Sequence, residues 1–234
     1  MKRCKTLLVR VCLFLLAAVP AYCQRGTLGI DVGETSDRFA SLPAKNGPEF
    51  DIDGKFTVFQ NNPKSGRPAI VAGGEIRLPS DTGNHAREYA AFGGLAFPIH
   101  NLSLGFDVQV RKIVLPSAIV DNQIFERNSM RLLETPLDLK YVFGSTKRWF
   151  IEAEGAPEYT PHWRKNSASL VSLPNPNFDH GYFIRGTVGY VLGKYYVKGT
   201  YETRYFKFIE DAGNPSNLYN WKNNRMMGGV GFVF

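Results

Sequence analysis

Apolar and polar residues alternate along most of this chain with a period of two. In the stretch LSLGFDVQVR, residues 102–111, apolar residues hold the even positions, and polar residues or Gly hold the odd ones. The stretches 50–58, 182–192 and 195–204 alternate in the same way. This period is that of a β-strand with one apolar and one polar face. Beyond the N-terminal segment no stretch has the apolar spacing of an amphipathic helix, so we predict an all-β protein.

The alternation predicts ten strands, with eight as the alternative count. Pro136 interrupts the sixth segment and predicts a bulge or local break there, because proline has no N–H to donate to a neighbouring strand. The first and fourth segments are rich in Gly and Ala, which leaves the direction of their faces open. The ten segments lie near residues 27–38, 50–60, 67–78, 88–97, 102–113, 130–143, 148–159, 181–192, 195–207 and 224–234.

Long and short connections alternate between these segments. The two-residue turn Gly193-Lys194 and the short stretch PIHN contrast with long stretches such as VLPSAIVDNQIFERNS. Outer-membrane barrels alternate in this way, because their strands run up and down between short periplasmic turns and longer external loops. The pattern therefore predicts a closed, antiparallel, up-and-down transmembrane β-barrel with five longer external loops.

The N-terminal segment predicts export. A basic start is followed by the apolar run VCLFLLAAVPA, which is typical of a cleaved signal peptide and too short for a membrane-spanning helix. We predict a signal peptide over 1–23 and one barrel domain over 24–234. The net charge of +7 includes four signal-peptide cations, so the mature part carries 7 − 4 = +3, which argues against nucleic acid as a partner. All three cysteines lie within the signal segment.

The C-terminal residues complete the pattern. The chain ends on MMGGVGFVF, in which every second position back from the end is apolar or Gly. With the signal segment, the alternation and the loop lengths, this ending resembles that of small bacterial outer-membrane β-barrel proteins. The resemblance implies a Gram-negative outer membrane, contact with its lipid and lipopolysaccharide, and a last strand that the barrel-assembly machinery recognises. The residues that match this assembly signal are Met226, Gly228, Val230, Phe232 and Phe234.

The polar faces would meet inside the barrel. Since a barrel of about eight strands is only wide enough for its side chains to fill the interior, we expect ion pairs across a narrow lumen, with a narrow path for small solutes or ions as the alternative. The expected lumen charge network consists of Asp53, Lys55, Glu75, Arg77, Asp107, Arg111, Asp138, Lys140, Glu152, Glu154, Arg185, Lys198, Glu202 and Arg204, and the same faces carry Asp31, Asp51, Glu134, Glu158 and Arg225.

No motif predicts catalysis, and no His, Cys or acidic cluster has the spacing of metal ligands, so we expect no catalytic residue, no metal site and no cofactor. The alternative is an enzyme, such as a protease or lipid hydrolase, whose catalytic groups lie at the external rim of the barrel; we call it a rim enzyme. Its candidate acid–base pairs are Asp81 with His85 and Asp179 with His180, and its candidate nucleophiles are Ser167, Ser169 and Ser172. Apolar loop residues, including Trp163 and Trp221, would form a contact surface or cap the barrel mouth. Arg87, Arg164 and Lys222 would meet lipid phosphates.

The sequence thus predicts a monomeric outer-membrane barrel, porin-like in architecture, with a structural, adhesive or narrow-channel role. The competing class is a secreted, soluble, lipocalin-like barrel that binds a ligand inside. The two differ in the direction of their apolar faces, which point to lipid in the first and to the interior in the second.

Overall fold

The computed structural model of the protein describes residues 25–39, 42–59, 68–115, 118–120, 123–125, 129–164, 177–209 and 218–234. The predicted signal segment, 1–23, lies outside the described residues. The described part of the chain is all β-strand and connections. It contains no helix long and apolar enough to cross a membrane.

The strands follow the chain in an up-and-down order, each antiparallel to its neighbours. Their bounds are β1 Arg25–Phe39, β2 Lys45–Phe59, β3 Ala69–Pro79, β4 Arg87–Ile99, β5 Leu102–Val114, β6 Ala118–Val120, β7 Gln123–Phe125, β8 Ser129–Glu134, β9 Leu137–Phe143, β10 Trp149–Arg164, β11 Asn177–Leu192, β12 Tyr195–Ile209 and β13 Leu218–Val233.

The sheet closes because the first strand pairs with the last. The register between β1 and β13 runs from Thr27 opposite Val233 to Phe39 opposite Trp221. Beyond it, Gly26 N–H donates to the Phe234 carbonyl at 2.9 Å, and Phe234 N–H donates to the Gly26 carbonyl at 3.0 Å. The C-terminal residue is therefore part of the seam.

We call each strand position around the barrel a wall, and the sixth wall is interrupted at Pro136. β8 and β9 lie on either side of Thr135-Pro136, and both pair with β5 and with β10. The Pro136 carbonyl still accepts a hydrogen bond from Asp107 N–H at 3.1 Å. Counting β8 and β9 as one wall, the barrel has ten strands, which confirms the predicted count and the predicted break. β6 and β7 form a separate small hairpin that the sequence did not predict.

Several strands are longer than predicted at the end that carries the long loops, which we call the loop end. β2 begins at Lys45 and β13 at Leu218, so the connection between β1 and β2 spans only 40–44. It is shorter than the connection 60–68 at the opposite end, the turn end, so the expectation that every external loop is the longer one is wrong for this first loop. Strand pairing continues here because the backbone of β1 and β2 stays in register up to Asp37 opposite Lys45.

Candidate functional site

The interior of the barrel holds charged side chains in two layers. Nearer the loop end lies the arginine layer, four guanidinium groups from four strands that are at most 3% exposed. Arginine suits this position because its planar fork can hold two carboxylates at once and stays charged when buried. The arginine layer consists of Arg77 on β3, Arg111 on β5, Arg204 on β12 and Arg225 on β13.

Glu88 lies at the centre of the arginine layer and is 0% exposed. Its carboxylate is 2.8 Å from Arg111 Nη1 and 3.4 Å from Arg77 Nη1. It also contacts Arg225 Nη2 and lies 4.0 Å from Arg204 Nη2. One carboxylate thus joins four strands across the barrel.

Glu202 and Glu134 complete the layer. Glu202 accepts from Arg77 at 2.6 and 2.7 Å and from Arg225 at 2.8 Å. Glu134 accepts from Arg204 at 2.9 Å and from Arg111 at 3.2 Å. The bonds between Glu202 and Arg77 and between Glu134 and Arg204 cross the lumen between strands that are not neighbours, whereas the other two join adjacent strands, so the charge-assisted bonds hold the barrel together both across and along its wall.

The lysine layer lies nearer the turn end and is more exposed. Lys198 Nζ bridges Asp31 at 2.8 Å and Asp53 at 2.7 Å. Lys55 binds Asp138 at 2.6 Å and lies 3.8 Å from Asp107; Lys140 binds Glu152 at 3.3 Å.

Between the layers, Arg185 contacts Glu75 at 2.9 Å and Glu154 at 3.2 Å. A cavity of about 340 Å³ lies at this level and reaches the turn residues Lys147 and Arg148.

At the loop end, a group that we call the mouth cluster covers the arginine layer; it consists of Asp37, His85, Phe206, Trp221 and Asn223. Asp37 Oδ1 accepts from Trp221 Nε1 at 3.0 Å and from Asn223 Nδ2 at 2.8 Å, while Asp37 Oδ2 is 2.9 Å from His85 Nδ1. The Trp221 ring stacks on Phe206, with centroids 4.9 Å apart, and is 0% exposed. Trp221 was expected in an external loop; it lies inside the barrel on β13, because strand pairing extends to the loop end.

His85 and Asp81 belong to the connection 80–86, outside the strands. The hydrogen bond with Asp37 raises the pKa of His85. Hydrogen bonds from the Asn84 side chain and Gly83 N–H lower the pKa of Asp81. The side-chain partner of His85 is therefore Asp37 and not Asp81, and Asp81 stabilises its own turn. The other proposed rim residues, Ser167, Ser169 and Ser172, lie outside the described residues, as does the side chain of Asp179.

The raised pKa of His85 predicts how stability changes with pH. Because the folded pKa lies above the ordinary value of 6.5, the stabilisation from charged His85 is complete below the unfolded pKa and is lost as pH rises through the folded one. We expect the free energy of unfolding to fall over that interval in the wild type and to stay flatter in His85→Gln. Urea unfolding in detergent micelles at a series of pH values measures this, and parallel curves for the two proteins would contradict it.

The outer surface of the barrel is apolar. Along β5, Phe106, Val108 and Val110 are 50–56% exposed, whereas Asp107 and Arg111, on the other face, are buried. Similar apolar rows occur on the outer face of the other walls. A soluble lipocalin-type barrel would carry its apolar rows inside, so these faces exclude it. A closed barrel with a belt of exposed apolar residues and charges inside satisfies every backbone group within lipid. The fold is that of a bacterial outer-membrane β-barrel.

Comparisons with known proteins gave matches only among solved structures. No family model and no curated protein matches the chain. The outer membrane protease OmpT from Escherichia coli is 12% identical with a TM-score of 0.49, covering 90% of this chain and 97% of OmpT. Neisserial surface protein A is 10% identical with a TM-score of 0.39, covering 89% and 97%. OprG from Pseudomonas aeruginosa is 10% identical with a TM-score of 0.30, covering 89% and 96%.

Aromatic side chains stand at both edges of the apolar belt, as in outer-membrane barrels. Tyr89 and Tyr182 are exposed towards the loop end, and Trp149 and Tyr195 towards the turn end. The side chain of Tyr159, which was expected in the same girdle, lies outside the described residues. At the seam, the Phe234 ring lies 5.8 Å from Phe56 and 6.1 Å from Phe232 between centroids.

The structure brings the expected lumen residues together on the inner face, and adds others that the sequence analysis missed. Glu49, which binds Arg225 at 2.9 Å, and Glu88 are buried within the arginine layer, and Asp37 lies above it. Glu49, Asp51 and Asp53 occupy alternate positions on one inner face. Extending the alternation one residue towards the N-terminus, before the predicted start at residue 50, would have found Glu49. Within the described ranges, no group of three His, Cys, Asp or Glu side chains could hold a metal ion.

Proposed function

We propose that this protein is an integral outer-membrane barrel whose lumen is closed by the arginine layer and the mouth cluster, and that its role is structural or adhesive. The observation that carries the proposal is the burial of Glu88 with its four arginines across the full width of the barrel. Charges held this tightly leave little room for water, and a ten-stranded barrel is near the size that side chains can fill. The loop end would then be the part that meets partners outside the cell.

The proposed setting is the outer membrane, reached through a cleaved signal peptide, with the barrel as a monomer. The apolar belt supports this placement, since a soluble protein rarely exposes so large an apolar surface. Phe234 is proposed as the residue that the barrel-assembly machinery recognises. Cell fractionation of a Phe234→Ala chain tests that role: much less protein in the outer membrane would support it, and an unchanged amount would count against it.

A second candidate is a narrow polar path for ions or small solutes. The cavity of about 340 Å³ in the lysine layer favours it, because part of the lumen is open from the turn end. For conduction, the path would also have to cross the arginine layer. A rim enzyme has weaker support, since His85 is buried and hydrogen-bonded to Asp37.

Planar-bilayer recording of the purified, folded barrel separates these candidates. We expect the wild type to give no stable conductance, because the arginine layer blocks the lumen. We expect Arg77→Ala combined with Arg225→Ala and Trp221→Ala to give ion conductance, because this variant removes two of the four guanidinium groups and the indole of the mouth cluster. Steady single-channel conductance in the wild type would overturn the closed barrel and favour the narrow path. Migration on unboiled SDS gels shows whether each variant is folded.

A further inference from the structure

Two cations stand side by side on the outer face of the barrel at the loop end. Lys112 on β5 and Arg131 on β8 are direct cross-strand partners, and both side chains are exposed. Facing partners of like charge destabilise a sheet, because their Cβ atoms are only about 5 Å apart. In the described part of the chain, neither side chain has a carboxylate partner, so the pair has no counter-anion among the described residues.

A third cation, Arg87 on β4, lies next to this pair. Arg87 is the cross-strand partner of Val114, the next residue on the same outer face as Lys112, so it is a diagonal neighbour of Lys112. Its Nε is buried and has no hydrogen-bond partner among the described residues. We call Arg87, Lys112 and Arg131 the cationic triad.

The cationic triad lies directly above the apolar belt. On the same outer face, one row nearer the turn end, Val110 is the cross-strand partner of Leu133, and both side chains are exposed. Tyr89 is the cross-strand partner of Lys112 on its other side, where an amphipathic ring is suited to a membrane interface. A molecule held by the triad could therefore place acyl chains on the belt and a negative group at the cations.

We propose that the cationic triad binds a phosphate group of a phosphorylated glycolipid in the outer leaflet. The guanidinium forks of Arg87 and Arg131 match phosphate geometry, and Lys112 supplies a point charge between them. This inference rests on the proposed placement in the outer membrane. It goes further by naming the surface and the chemistry of the lipid headgroup.

A similar pair on the opposite side of the barrel provides a matched control. Arg38 on β1 and Lys222 on β13 are also direct partners and exposed. On the same outer face, the rows nearer the turn end are Ser36 with Asn224 and then Glu34 with Met226, so two rows that contain polar residues separate this pair from the apolar belt. A lipid phosphate at the edge of the belt would not reach this pair, so the two pairs differ in their distance from the acyl chains and not in their charge.

The test is a lipid titration of the folded barrel in phosphatidylcholine nanodiscs, with bound lipid counted by native mass spectrometry. The probes are bisphosphorylated lipid A, the same lipid without phosphates, and inorganic phosphate. We expect Lys112→Gln/Arg131→Gln to weaken binding of the bisphosphorylated lipid by about thirtyfold, and Lys112→Arg/Arg131→Lys to retain it. We expect Arg38→Gln/Lys222→Gln to leave the affinity nearly unchanged.

Any of three results would contradict the proposal that the cationic triad binds the lipid phosphate. The first is equal binding of both lipids by the wild type, and the second is wild-type affinity in Lys112→Gln/Arg131→Gln. The third is an equal loss in the control variant, which would mean general attraction of charge. Inorganic phosphate binding as tightly as the lipid would overturn a headgroup site. Heat-modifiable migration shows that each variant is folded, and failure of the wild type to enter nanodiscs would contradict the proposed function instead.

Discussion

Replacing Glu88 with glutamine is expected to lower the free energy of unfolding by about 3–5 kcal/mol, since it removes one member of a fully buried ionic network. Glutamine keeps the size of the side chain but not its charge. Arg111, Arg225 and Arg77, all within 3.4 Å of the carboxylate, would lose their shared counter-ion inside the barrel. Urea titration of the barrel in detergent micelles or vesicles measures the change.

The matched control is Glu152→Gln in the lysine layer. Glu152 pairs with Lys140 at 3.3 Å, and both side chains are partly exposed to the cavity, at 24% and 36%. Water can solvate the lysine that remains, so the loss should stay below about 1 kcal/mol. Equal losses for the two variants would contradict the distinction between a buried arginine layer and a hydrated lysine layer.

Trp221→Ala is the second change with a large expected effect, a loss of about 3–5 kcal/mol in the free energy of unfolding. The indole is fully buried, stacks on Phe206 and donates to Asp37. Its removal leaves a cavity in the mouth cluster and takes a donor from Asp37. Trp221→Phe keeps most of the packing and loses only the hydrogen bond, so we expect about 1 kcal/mol there.

Trp149→Ala serves as the control for the loss of a tryptophan. Trp149 is 46% exposed on the outer surface and packs edge-on against Tyr190 at 4.8 Å. Its removal leaves no internal cavity, and we expect a loss of about 1 kcal/mol. A Trp221 variant as stable as the Trp149 variant would show that the mouth cluster does not stabilise the barrel.

The central part of each strand could be predicted from the sequence, because there the outer face is apolar and the inner face polar. On β13 the outward residues Met226 and Val230 are apolar, so the alternation is clear there. Towards the loop end the outward residues Asn224 and Lys222 are polar too, so the period of two disappears although the strand already begins at Leu218. The predicted segment 224–234 was therefore too short at the loop end.

The partners of the inner charges could not be predicted, for a related reason. Every wall points its polar face into the same narrow space, so alternation shows which residues are inside but not which of them meet. Arg225 contacts Glu88, which is 137 positions away in the sequence. The sequence also did not show that the Glu88 side chain points inward, because β4 is rich in Gly and Ala and Glu88 lies at its loop end.

The orientation of the two strand faces is tested most directly by lipid quenching along β5. Single cysteines at residues 106–111, in a chain whose own cysteines are replaced by serine, would carry a fluorescent label in vesicles that contain brominated lipid. We expect strong quenching at positions 106, 108 and 110 and weak quenching at positions 107, 109 and 111. Quenching at the odd positions, or at none, would contradict a barrel with its apolar rows in lipid and its charges inside.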